Sequence, residues 1–80
     1  MKKHLTLYPT EKVYKKFGER VRMIRQLLGL TQVAAAKRLS MTRTSLVNIE
    51  AGRQRVLLHS IINFSKAYRV KAEQLIKGIW

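Results

Sequence analysis

This chain of 80 residues is long enough for one small domain with a single core. Its 17 Lys and Arg against 4 Asp and Glu give a formal charge of +13, a surface that attracts polyanions: nucleic acid first, anionic membrane second. Cysteine is absent, which excludes a disulfide framework and a thiolate metal site.

The two histidines, His4 and His59, lie far apart in sequence without the acidic or histidine company that a metal ion needs, so no metal and no cofactor are expected. No apolar run approaches the roughly 18 residues required to span a bilayer. Lys2 and Lys3 are not followed by an apolar stretch, so no signal peptide is expected either. A reducing cytoplasm fits these features. A nucleophile–base pair and a phosphate-cradling glycine loop are both missing, and the chain does not read as an enzyme.

Residues 1–12 read as a basic N-terminal arm. Pro9 pushes Tyr8 toward an extended conformation, and Met1 to Tyr8 show no helical period. Such an arm either frays or touches a polyanion. The folded domain is expected over residues 13–78, with Thr10 as a plausible cap before its first helix. Val13, Phe17, Val21, Ile24 and Leu28 recur at helical spacing, with Lys12, Lys15, Lys16, Arg20, Arg22 and Arg25 on the remaining positions. Gly18 interrupts this pattern at a cost of about 1 kcal/mol relative to Ala, so the regular helix is expected to begin near it. Gly29 ends that helix.

Thr31 caps a second helix, whose first turn presents Gln32 and whose inward residues, Ala35, Ala36 and Leu39, are small enough for two helices to approach closely. Ser40 and Met41 form a turn, and Thr42 caps a third helix anchored by Leu46 and Ile49. A wheel at about 100° per residue puts Thr44, Val47, Asn48 and Ala51 opposite those anchors, with Arg43 on the flank. Gly52 closes this helix. Two short helices joined by a tight turn, the second with a polar outer face, are the parts of a helix-turn-helix, whose second helix enters the DNA major groove. Arg53, Gln54 and Arg55 follow as a basic loop. A fourth helix is expected through Leu58, Ile61, Ile62, Phe64, Ala67 and Tyr68, and a fifth over Lys71 to Ile76, packed by Ala72 and Leu75. Ile79 and Trp80 form an apolar tail. The expectation is an all-α domain of five helices.

These residues resemble the lambda-repressor-like, Cro/C1-type (XRE family) helix-turn-helix regulators. The likeness rests on Thr31-Gln32, Ala36, Leu39, Thr42-Arg43-Thr44-Ser45, Ile49-Glu50 and Gly52, and continues through Leu58, Ile61, Ala67, Val70 and Leu75. It covers about Phe17 to Gly78. The resemblance implies that Gln32 bonds a DNA phosphate with help from the amides of its helix N-terminus. It places Arg43, Thr44 and Ser45 on base edges, with Asn48 one turn further on. Arg43 can present two donors to guanine, and Asn48 can pair bidentately with adenine. A phosphate contact is the other reading of Arg43, and a bond to its own helix N-terminus the other reading of Ser45. Thr42, Arg25, Arg53 and Arg55 are further expected phosphate contacts. The family pattern also pairs Glu50 with Arg25 as a structural ion pair.

Four positions depart from that pattern. Ala35 replaces a usual Leu, and Ser40 replaces the usual Gly of the turn. Val47 replaces a small polar residue, where it either meets a thymine methyl or packs inward. Val56-Leu57-Leu58 lacks the customary Pro and Ser. Leu57 therefore reads as exposed and, with Ile79 and Trp80, as a dimer contact. The expected function is a sequence-specific DNA-binding regulator, a repressor or autoregulator, acting as a homodimer on an inverted repeat of double-stranded DNA. A protein-interaction module, such as the antitoxin of a toxin–antitoxin pair or a recruiter of RNA polymerase, is the alternative. RNA binding lacks a stacking surface, because Phe17, Phe64 and Tyr68 fall on core faces. Membrane-surface binding by the first helix is disfavoured because core packing explains its apolar stripe.

Overall fold

The computed structural model describes residues 10–79. Met1 to Pro9, expected as part of an arm, and Trp80, expected in the tail and the dimer contact, lie outside the described residues. Five helices follow one another: α1 (Thr10–Leu27), α2 (Gln32–Arg38), α3 (Arg43–Glu50), α4 (Leu58–Tyr68) and α5 (Ala72–Ile76). No strand occurs among the described residues.

The core is built from one face of each helix. Phe17 and Val21 of α1 meet Ala35, Ala36 and Leu39 of the α2 segment, Leu46 and Ile49 of α3, Phe64 and Tyr68 of α4, and Leu75 of α5. Three aromatic rings run through its centre edge to face. Phe17 and Phe64 lie 5.7 Å apart at 83°, and Phe64 and Tyr68 5.5 Å apart at 72°. Each such pair contributes about 1 kcal/mol beyond the area it buries.

Two expectations about α1 are corrected. Helix α1, described from Thr10, runs unbroken through Gly18, so residues 10–12 belong to it rather than to an arm. Gly18 is buried, and its missing side chain is a packing requirement. A Cβ there would stand 2.3 Å from the Ile49 carbonyl oxygen and 2.6 Å from that of Glu50. Helix α1 thus crosses the end of α3 backbone against backbone, a distance only Gly permits.

The ends of α1, α2 and α3 close alike. In each, the second residue after the helix takes a left-handed conformation and the next amide bonds back five residues: Leu30 N–H to Arg25 O, Met41 N–H to Ala36 O, and Arg53 N–H to Asn48 O. Gly29 and Gly52 fill two of these positions, and Ser40 fills the third at φ 55°. A side chain in that region costs about 1 kcal/mol, so the helix-turn-helix elbow is tight and slightly strained. Thr31 and Thr42 cap α2 and α3, each hydroxyl accepting from the amide three residues on, at 3.0 Å.

Other differences concern apolar residues assigned to the core by periodicity. Leu58 is 79% exposed and Ile62 48%, because the buried stripe of α4 runs through Ile61, Phe64, Ala67 and Tyr68, and these two lie round the helix from it. Leu28 sits past the end of α1 and is exposed, as is Ala72 in the first turn of α5. Ile79 is 3% exposed and belongs to the core, not to an apolar tail. It is brought there by Arg20 of α1, whose guanidinium donates to the carbonyls of Gln74 at 2.5 Å and Lys77 at 2.8 Å, at the end of α5. The charge there complements the carbonyl end of the helix dipole.

Replacing Gly18 by Ala should lower stability by about 3 kcal/mol in denaturant unfolding, although Ala is the better helix former by about 1 kcal/mol. Tyr68 offers a second test. Its buried hydroxyl has no hydrogen-bond partner among the described residues, and burial, reinforced by the Glu50 carboxylate, pushes its pKa up to about 12 from 10.0. The unfolded chain loses this proton first, so the stabilisation present below pH 10 is lost as pH rises toward 12. Unfolding of Tyr68→Phe should lack this component, worth up to about 1.4 kcal/mol per pH unit, and the variant should be no less stable than the parent at neutral pH.

Candidate nucleic-acid interface

An open cleft of about 580 Å³ runs between the end of α1, the start of α2 and the outer side of α3. It is lined by Arg22, Arg25, Gln32, Arg43, Val47 and Glu50, among others. A chain of side-chain hydrogen bonds forms its floor. Arg25 donates from Nε to Glu50 Oε2 at 2.6 Å and from Nη2 to Glu50 Oε1 at 3.1 Å, and its Nη1 donates to the Leu30 carbonyl at 2.9 Å. Gln32 Nε2 donates to Glu50 Oε1 at 3.1 Å, while Gln32 Oε1 accepts from Arg43 Nη2 at 3.2 Å. The amide of Gln32 can stand only this way round, since its nitrogen faces a carboxylate and its oxygen a guanidinium.

The Arg25 and Glu50 side chains are 10% and 3% exposed. The hydrogen bond to Glu50 holds the Arg25 guanidinium above its ordinary pKa, against the desolvation that lowers it. This corrects one expected role. Arg25 is sequestered beneath the surface, with all three guanidinium nitrogens engaged inside the chain, and does not belong with the phosphate contacts. Glu50 touches only interior partners and is part of the scaffold.

Above this floor α3 presents its outer side. Arg43 and Thr44 are exposed, Val47 and Asn48 are half-buried, and Thr42 is exposed at the cap. Ser45 is half-buried. Its amide donates to Thr42 Oγ1, and its hydroxyl accepts from Gln54 Nε2 at 3.5 Å, a contact with the following loop rather than with its own helix N-terminus. Val47 lines the cleft wall. Asn48 Oδ1 accepts from both Nε and Nη2 of Arg53, at 3.2 and 3.1 Å. Arg53 and Arg55 are exposed on the loop after α3, and Leu57 is 63% exposed at the N-cap of α4. With Ile79 buried in the chain's own core, it does not join Leu57 in the expected dimer patch, whose third member, Trp80, lies outside the described residues. The exposed apolar neighbours of Leu57 are instead Leu58 and Ile62.

Sequence reasoning passed over Arg22, which lines the cleft, and Arg20, which clamps α5. Both sat in an undifferentiated basic face of α1. The pairing of Arg53 with Asn48 had a signal: a glycine closing α3 at Gly52 brings the amide of Arg53 back to Asn48, and the side chains follow.

An all-α fold whose third helix offers an exposed polar side over a basic cleft is that of DNA-binding transcription regulators. Residues 16–75 match the family described as helix-turn-helix domain, and the chain belongs to it. Among solved structures, it is similar to the restriction-modification controller protein C.AhdI from Aeromonas hydrophila, with 29% identity over 78% of this chain and 94% of that one, at a TM-score of 0.75. The hypothetical transcription factor NHTF from Neisseria superposes at a TM-score of 0.77 with 24% identity, covering 90% of this chain and 83% of that one. The clp gene regulator ClgR from C. glutamicum gives a TM-score of 0.75 and 19% identity, covering 79% and 82%. Comparison with curated proteins gave no match. Among the described residues no helix is long and apolar enough to cross a membrane.

Removing the charge at the centre of this site should be costly. Glu50→Gln leaves the Arg25 guanidinium buried without its counter-charge, and the variant should lose about 3 kcal/mol of stability in denaturant unfolding. Surface substitutions on the same helix, such as Thr44→Ala, should stay within about 0.5 kcal/mol of the parent.

Proposed function

We propose that this protein is a sequence-specific transcription regulator, a repressor or autoregulator, that acts in the cytoplasm as a homodimer on an inverted-repeat operator. The observation that carries the reading is the composition of the exposed side of α3, where Arg43, Thr44, Val47 and Asn48 stand over a floor that holds Arg43 in place through Gln32 and Glu50. A guanidinium already held by one of its nitrogens loses less freedom when it meets a base, and its remaining donors match the paired acceptors of guanine. Val47, on the cleft wall, is suited to a thymine methyl. Gln32, Thr42, Arg53, Arg55 and the cleft-lining Arg22 serve as the phosphate contacts.

Binding is the whole activity on this reading, and no catalytic step is assigned. The likeness to a restriction-modification controller supports the reading of a regulator. Dimerisation is assigned to the apolar surface of Leu57, Leu58 and Ile62 at the start of α4. Two copies, each with a formal charge of +13, repel one another in solution. The DNA between them offsets that repulsion, so dimer formation and operator binding are coupled. Half-sites about one helical turn, ~34 Å, apart suit two such modules.

In vitro selection from a random duplex pool at about 150 mM salt is expected to enrich a palindrome. Affinity for it should fall steeply with salt, as phosphate neutralisation requires. Arg43→Ala should cost about 1–3 kcal/mol on the selected site and relax preference at one base pair in each half. Equal weakening on every duplex would move Arg43 to phosphate, and a flat salt response would remove DNA from the account.

A further inference from the structure

The sequence suggested that Asn48 reads adenine, which requires its side-chain oxygen to accept from adenine N6 while its nitrogen donates to N7. The structure commits that oxygen elsewhere. Arg53 Nε and Nη2 both donate to Asn48 Oδ1, at 3.2 and 3.1 Å. Both donors come from one edge of the guanidinium, so a full positive charge stands against that oxygen and opposes the approach of a second donor such as adenine N6. The orientation is fixed by chemistry, because turning the amide over would set its N–H₂ against the guanidinium.

Arg53 is also held in place from behind. Its backbone amide donates to the backbone carbonyl of Asn48 at 2.9 Å, the bond that closes α3 around Gly52. Asn48 and Arg53 are thereby tied at main chain and side chain alike. The result is an asparagine whose oxygen carries a cation and whose nitrogen is left open, on the side of α3 where the flanking Arg43 and Thr44 are exposed.

We infer that Arg53 is a specificity-determining residue: by holding its charge against the acceptor of Asn48, it turns that side chain from an adenine reader into a reader of acceptor edges, guanine first. Guanine O6 and N7 are adjacent acceptors that an N–H₂ group can meet together, whereas adenine presents its own N6 donor to the same region. This inference rests on the reading of α3 as the base-reading helix.

The test is selection from a random duplex pool with the intact chain, Arg53→Met and Asn48→Ala. Arg53→Met keeps an unbranched side chain at an exposed position, and circular dichroism verifies its fold. Asn48→Ala identifies the base pair concerned as the one whose preference it erases. At that pair the intact chain should favour guanine over adenine by about tenfold, and Arg53→Met should reverse the order. Adenine enriched equally by the intact chain and Arg53→Met would overturn the inference while leaving the proposed function standing. So would uniform weakening of Arg53→Met with an unchanged motif, which would make Arg53 a phosphate contact alone. Failure of every protein to enrich any sequence would overturn the base-reading role of α3, and the inference with it.

Discussion

The buried ion pair between Arg25 and Glu50 is the constraint on which the rest of this small domain turns. It joins α1 to the end of α3, takes in the carbonyl of Leu30 in the connection to α2, and orders Gln32 at the start of α2. Two charges withdrawn from water are costly unless every partner is in place, and here each donor or acceptor of the pair has one. A hydrophobic pair of the same size could supply equal stability. What it could not supply is direction: the carboxylate orients an amide, the amide orients a guanidinium, and the guanidinium stands at the surface. A core interaction therefore sets the geometry of an exterior residue two hydrogen bonds away.

Short helices make such a constraint necessary. Helices α2 and α3 have 7 and 8 residues, below the length at which an isolated helix persists in water. Their ends are fixed by threonine caps and left-handed closures, and their inner sides by Ala35, Ala36, Leu46 and Ile49. Ser40 shows the consequence for the elbow. It accepts a conformation that glycine would take freely, which the surrounding hydrogen bonds impose. The five-residue α5 goes further in the same direction. It owes its place to the buried Leu75 and to a guanidinium contributed by α1.

Much of this was legible in the sequence because it depends on local pattern. Thr31, Thr42, Gly29 and Gly52 mark helix ends by chemistry that acts over a few residues, and Phe17, Val21, Leu46, Phe64 and Leu75 follow helical periods. What was not legible depends on which helix meets which. Gly18 reads as a helix breaker until α3 is laid across it. Leu58 and Ile62 read as core until the partner face of α4 is known, and Ile79 reads as an exposed tail until Arg20 turns the end of α5 inward. Arg25 was read in two ways: the family pattern paired it with Glu50, and that pair forms, while its place on a basic helix made it one more phosphate contact, a role its burial beside Glu50 opposes. Contacts made by exposed side chains, such as Arg53 on Asn48, left only an indirect trace in the sequence: the closing turn at Gly52 that brings the two residues together.

The backbone-to-backbone crossing at Gly18 has a mechanical consequence. With main chain against main chain and a buried ion pair beside it, α3 cannot tilt or slide on α1 without breaking both. On the proposed reading the protein is the stiff member of its complex, and the compliance must come from the duplex. Operators would then be sorted partly by how readily they bend and twist to meet a reader that does not move, including at base pairs that no side chain reaches.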